Sequence, residues 1–154
     1  VIFLRNKAVL LAEHNIEIRG VEIDRKYYKR FTVRHMDDSY MEEILGKNEG
    51  THYEILLAHN PDYFKQYKDY GADLTLSGHV HGGLVRMPFL GGIASPAVRF
   101  FPKYDGGLFT KEKSNMVVSR GLGTHTLPVR IFNPAELVVI HLKPACKEQE
   151  KQIK

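Results

Sequence analysis

Two apolar runs of strand length, Tyr53-Glu54-Ile55-Leu56-Leu57-Ala58 and Asp73-Leu74-Thr75-Leu76-Ser77, bracket a segment dense in helix signals. The first run hardly alternates towards its end, as expected of a strand buried on both faces. Between the runs, Asn60 stands as an N-cap, Pro61 at the first helical position, Asp62 in the positive first turn, and Gly71 where a left-handed C-terminal residue belongs. Tyr63, Phe64, Tyr67 and Tyr70 recur at helical spacing, which predicts one face packed in a core rather than a stacking platform. The fourteen residues from His59 to Ala72 meet the roughly dozen-residue minimum for a crossover between parallel strands. Such crossovers are right-handed. The chain is therefore read as α/β.

This unit also places the chemistry. In open α/β sheets, ligands bind outside the carboxyl ends of the strands. His59 follows the first run directly, and Gly78-His79-Val80-His81-Gly82-Gly83 follows the second. Imidazole is the commonest side-chain metal ligand near neutral pH, and flanking glycines let backbone approach a bound ion closely. Convergence of His59, His79 and His81 on one sheet edge reads as a metal site. His14, His35, His52 and His141 have no spacing that suggests one.

Elsewhere, Ala8–Leu11 and the alternating Ile16–Ile23 read as strands of a hairpin or short meander. Residues 24–36 mix Lys, Arg and Tyr, a combination that binds nucleic acid when extended; this run is short and unrepeated and reads as a solvated loop. Asp37-Asp38-Ser39 and Gly46 bracket a helix over Tyr40–Leu45. From Leu84 to Gly107, glycines and prolines break every run, predicting ordered loops and short strands. Asn115–Arg120 is a further strand, followed by a Gly121-Leu122-Gly123 turn and a last strand, Glu136–Leu142.

The 154 residues fit one domain, without repeats. Lys and Arg number 22 against 18 Asp and Glu, a charge of +4 that favours phosphorylated substrates without indicating a nucleic-acid partner. The single cysteine, Cys146, makes neither an internal disulfide nor a thiolate zinc cage. No run approaches the roughly 20 apolar residues of a membrane helix, and Val1-Ile2-Phe3-Leu4-Arg5 lacks the order of a signal peptide. A soluble, cytoplasmic chain is expected, any membrane anchor lying before Val1.

Leu57-Ala58-His59-Asn60-Pro61-Asp62, Gly71-Ala72-Asp73-Leu74, Ser77-Gly78-His79-Val80-His81-Gly82-Gly83 and Ser119-Arg120-Gly121-Leu122-Gly123-Thr124, with Leu127-Pro128-Val129-Arg130, together resemble the calcineurin-like metallophosphoesterases, over about Leu4 to Leu142. The resemblance implies a two-sheet αββα sandwich and hydrolysis of phosphoesters, phosphodiesters foremost, by a hydroxide bridging two divalent ions (Mn, Fe or Zn). It implies that His59 and His79 ligate the second metal and His81 the first. Arg86, Arg120 and Arg130 lie in family-like segments where a guanidinium can steady a phosphate. The family's Asp-x-His, Gly-Asp and Gly-Asn-His motifs precede the region matching Val1, and none occurs here. Residues 1–143 are thus expected to be the C-terminal part of the domain and 144–154 a charged tail, with the two-metal site incomplete. The upstream half, in the same or a second polypeptide, is the expected partner beside a small phosphoester substrate. Self-association through the uncovered face is a further expectation, and a non-catalytic, degenerate binding domain is the alternative.

Overall fold

The structure is a computed structural model that describes residues 1–28, 32–79, 85–87, 91–94, 102–123 and 130–144, with backbone alone at 85–87 and 91–94. A six-stranded sheet is built from β1 (Lys7–Leu11), β2 (Ile16–Val21), β3 (Tyr53–Ala58), β4 (Leu74–Ser77), β7 (Gly107–Lys111) and β8 (Ser114–Val118), in the order β1-β2-β3-β4-β8-β7. β5 (Val85–Met87) and β6 (Gly91–Ala94) pair as a separate antiparallel ribbon, in keeping with the short strands expected there. Neighbours from β2 to β8 run parallel, and antiparallel β1 and β7 close the two edges. The fold class is α/β, and among the described residues no helix is long and apolar enough to cross a membrane.

Alternation sorts the sheet into two faces. On one, Leu56 and Ala58 of β3 and Met116 and Val118 of β8 are buried. Helix α2 (Phe64–Tyr70), entered through a single 3-10 turn at Pro61–Tyr63, covers this face. All four aromatics of its predicted stripe are buried: Tyr63, Tyr67 and Tyr70 join a cluster with Met36, Met41 and Leu56, whereas Phe64 joins Tyr104, Met116 and Val118. The caps behave as the sequence predicts. Asn60 Oδ1 accepts from the Asp62 amide at 3.1 Å, and Gly71 ends the helix at φ +100°, in the left-handed region that favours glycine. Helix α1 (Tyr40–Leu45) packs against α2.

The opposite face carries three rows fixed by register: Leu11, Ile16 and Tyr53; Val9, Ile18, Ile55 and Leu74; and Gly20, Leu57, Leu76, Val117 and Leu108. Its centre is buried at Ile55 and Leu74, but Leu57 is 37% and Leu108 66% exposed. At Gly20 a Cβ would lie 1.9 Å from the Leu4 carbonyl oxygen, so this position must lack a side chain for the N-terminal segment to cross the sheet.

Two expectations are corrected. Glu136–Leu142 is not a strand: residues 133–144 hold no regular element. β-branched composition favours a strand only when an edge is there to pair with, and among the described residues no ladder reaches this segment. Residues 24–36 are not simply a solvated loop, because Tyr27 is a core residue, 4% exposed. β7 was the strand without a sequence-level forecast; its Leu108-Phe109-Thr110 is held by a tight turn with Glu112 at φ +53°.

Candidate metal centre

β3 and β4 end side by side, and three hydrogen bonds stitch the edge beyond them. Ser77 Oγ donates to the Ala58 carbonyl at 2.6 Å, the Gly78 amide to the His59 carbonyl at 3.2 Å, and the Ser119 amide to the Ser77 carbonyl at 2.9 Å. The crossover has placed His59 and His79 one strand apart at the carboxyl edge, as the sequence predicts.

The two imidazoles meet. Their ring centres are 5.0 Å apart and their planes cross at 77°. An imidazole nitrogen ligates at about 2.0–2.1 Å, which puts each ring centre roughly 3 Å from an ion and two rings sharing one ion roughly 5 Å apart. The spacing of the ring centres is thus that of two imidazoles on one ion. Among the described residues no group of three or more His, Cys, Asp or Glu side chains gathers to hold a metal. His81, the third predicted ligand, lies outside the described residues.

The backbone at His79 is in the left-handed region, φ +65°. A residue with a Cβ reaches this conformation at about 1–2 kcal/mol, and such positions concentrate at functional sites. Here the turn brings the second ring back over the first. A Cβ built on Gly78 would touch the His59 ring at 3.6 Å, an ordinary contact, so Gly78 lines the ring without being required by space.

One residue missed by sequence reasoning completes the cluster. The ring of Tyr28 lies 5.2 Å from that of His79 and 6.3 Å from that of His59, measured between centres. Burial raises the Tyr28 phenol above its ordinary pKa, with Glu22 adding to the effect, so it stays protonated at neutral pH. Tyr28 stands at the end of a short 3-10 helix, Arg25–Tyr28, inside the stretch whose charges suggested a solvated loop. The available signal was the Tyr27-Tyr28 pair itself, since adjacent aromatics within a polar run ask for a burial site.

The arginines divide. Arg120, two residues beyond β8, donates to Glu136 Oε1 at 2.7 Å, while its amide donates to Glu136 Oε2 at 3.1 Å. Arg130 donates to the carbonyls of Arg120, at 2.8 Å, and Gly123. Both guanidiniums thus clamp the C-terminal segment to the turn after β8. Arg86 contributes backbone to β5, and its side chain is outside the described residues. A concavity of about 430 Å³ lies elsewhere, lined by Arg34, Asp62, Lys65, Lys103 and Lys111 among others, and none of Tyr28, His59 or His79 borders it.

Comparison with known proteins adds the family context. No family model matches the chain, and no solved structure matches it. The chain is 38% identical over 91 residues to the metallophosphoesterase YkuE of Bacillus subtilis, covering 59% of this chain and 31% of YkuE. It is 34% identical over 98 residues to the UDP-2,3-diacylglucosamine pyrophosphatase LpxG of Chlamydia muridarum, covering 56% and 28%. To the phosphodiesterase YaeI of Escherichia coli it is 36% identical over 70 residues, covering 46% and 25%. The curated relatives it matches are longer: even an Aquifex aeolicus metallophosphoesterase aligned over 91% of this chain is spanned only to 50%.

Proposed function

From a chain that is a homologue of the calcineurin-like metallophosphoesterases, we propose that it forms the C-terminal part of a dimetal phosphohydrolase acting on phosphoesters, phosphodiesters foremost. The observation that carries the reading is the His59–His79 pair, ring centres 5.0 Å apart at the carboxyl ends of adjacent parallel strands. In this reading His59 and His79 hold the second metal and His81 the first, and the bridging carboxylate and remaining ligands come from the upstream part of the domain. The exposed rows around Leu57 and Leu108 suit burial against that part.

Divalent ions held there would lower the pKa of bound water and offer positive charge to the phosphate oxygens. Manganese, iron and zinc all suit nitrogen and oxygen ligands. The reaction adds water to phosphorus as the ester P–O bond breaks, and the alkoxide leaves with a proton. The share of this chain is to orient two ligands from a rigid edge, where the strand ends fix their spacing before any ion arrives.

The test is manganese-dependent hydrolysis of bis(p-nitrophenyl) phosphate by the full-length protein and by His59→Ala and His79→Ala. Loss of at least a hundredfold in kcat/KM in both variants is the expected result. Turnover unchanged by either substitution would remove the pair from the chemistry, and a wild-type protein that binds manganese without turnover would favour the non-catalytic binding domain.

A further inference from the structure

Tyr28, His59 and His79 form a closed trio of rings, with centres 5.0, 5.2 and 6.3 Å apart, and we propose that Tyr28 is a positioning residue that sets the orientation of the two histidines. The proposal rests on reading the pair as metal ligands. It goes beyond that reading by assigning a role to a residue from a different part of the chain.

The argument begins with how firmly Tyr28 is held. Its neighbour Tyr27 is buried, with its ring edge-on to Tyr40 at 4.9 Å and to Tyr63 at 5.3 Å. The Tyr27 carbonyl accepts from Asn60 Nδ2 at 3.2 Å and from the Tyr63 hydroxyl at 3.3 Å. Both donors lie within four residues after His59, so the short helix and the loop beyond β3 form one tied unit. The Asn60 carbonyl in turn accepts from the buried Tyr67 hydroxyl at 2.8 Å, which fastens that loop to α2. Tyr28 is therefore presented to the imidazoles by the core.

The ring geometry says what it does there. Tyr28 meets His79 edge to face at 67° and lies tilted at 36° to His59. An imidazole has one broad side-chain torsion and two nitrogens, so its lone pair points wherever the contacts around the ring hold it. Tyr28 stands beside both rings and so narrows the turning open to them. Partners beyond the ligands that fix ring orientation are worth roughly 10–100-fold in metal affinity, and the lower part of that range suits a wall that acts by packing alone.

The experiment titrates Co²⁺, the metal alone, into the full chain and reads affinity and the visible d–d bands, alongside ¹H–¹⁵N spectra of the histidine rings in the metal-free protein. Tyr28→Leu is expected to bind Co²⁺ about tenfold more weakly, with altered bands, and to shift the ring resonances of His59 and His79 before metal is added. Tyr28→Phe restores the ring and is expected within about twofold of wild type on both readouts. A Tyr28→Phe as weak as Tyr28→Leu would overturn the proposal by assigning the effect to the hydroxyl. Wild-type Co²⁺ affinity in Tyr28→Leu, while His59→Ala and His79→Ala lose it, would overturn the positioning role and leave the metal reading standing. Unchanged Co²⁺ affinity in the two histidine variants would overturn the metal reading, and the positioning role with it.

Discussion

The runs Tyr53–Ala58 and Glu136–Leu142 both read as strands in sequence, yet only the first joins the sheet. In the first, β3 has parallel partners on both sides, and α2 covers one of its faces. In the second, Leu137 and Val139 are 79% and 69% exposed, and the segment is held through Arg120–Glu136 and Arg130 rather than by a ladder. The difference teaches that local pattern specifies a tendency, while pairing and burial decide whether it is realised. It also separates the part that carries the candidate ligands from the part that is only fastened beside them.

The comparison is broken most directly at Leu56, fully buried between the strands and α2. Leu56→Ala removes three methyl-sized groups and leaves a cavity in a core seamed by aromatics, so a loss of about 3–4 kcal/mol is expected in urea denaturation. A loss under about 1 kcal/mol would mean that the core relaxes around the gap, and that the ligand edge rests on softer ground than its packing implies.

Next in size is the polar support beneath that core. Glu54 is 1% exposed, receives Arg19 Nε at 3.0 Å, and its Oε2 has no hydrogen-bond partner among the described residues. Burial raises its carboxyl pKa above the ordinary glutamate value, and Arg19 opposes the rise. A raised folded pKa means that the group's contribution to stability is complete below the unfolded value and is lost as pH climbs through the folded one. Arg19→Ala takes away the opposing charge, so the rise grows and with it the cost of ionising Glu54 at neutral pH. We expect about 2–3 kcal/mol lost at pH ~7, with a gap to wild type that narrows towards pH ~4. Arg19 keeps a solvated edge, which places the effect below that of a wholly buried pair. A gap independent of pH would assign the loss to the packing of the arginine stem instead.

Most of the half that carries the candidate ligands was legible because its signals were local and agreed with one another. Asn60, Pro61 and Gly71 delimit the helix, the Tyr63-to-Tyr70 stripe gives its buried face, and a crossover of that length makes β3 and β4 parallel. From those facts His59 and His79 fall on one edge without any knowledge of long-range packing. Tyr28 was not legible for the converse reason. It reaches the histidines through the Tyr27 carbonyl and contacts more than thirty positions away, as in Asn60 to Tyr27, and nothing in residues 24–36 encodes that distance. β7 was hidden because it starts on Gly107, in a run broken by glycines and prolines, and ends on Lys111 beside the turn at Glu112. The run from Glu136 to Leu142 misled because its composition is that of a strand, yet among the described residues no edge pairs with it.

The third prediction concerns the backbone cost of aiming the His79 ring. At φ +65°, alanine in place of His79 retains the left-handed penalty, whereas glycine does not. His79→Gly is therefore expected to be more stable than His79→Ala by about 1 kcal/mol, although both lose the same ring. Equal thermal midpoints for the two variants would show that the turn relaxes once the imidazole is gone, and that the strain is imposed by the contact between the rings rather than by the loop.

The smallest effect returns to the fastened segment. Val139 exposes 69% of its surface and sits in a stretch without a ladder, so Val139→Ala should change stability by less than about 0.5 kcal/mol. Its value lies in the contrast with Leu56→Ala, a substitution of similar chemistry on a segment of similar composition. A loss of 1 kcal/mol or more at Val139 would mean that the Glu136–Leu142 run buries its side chains in solution after all. The first candidate for what covers it is then a pairing edge, and amide hydrogen exchange across residues 136–142 would register it: protected amides at alternate positions indicate a ladder, and uniform rapid exchange indicates a segment held only by its two arginine clamps.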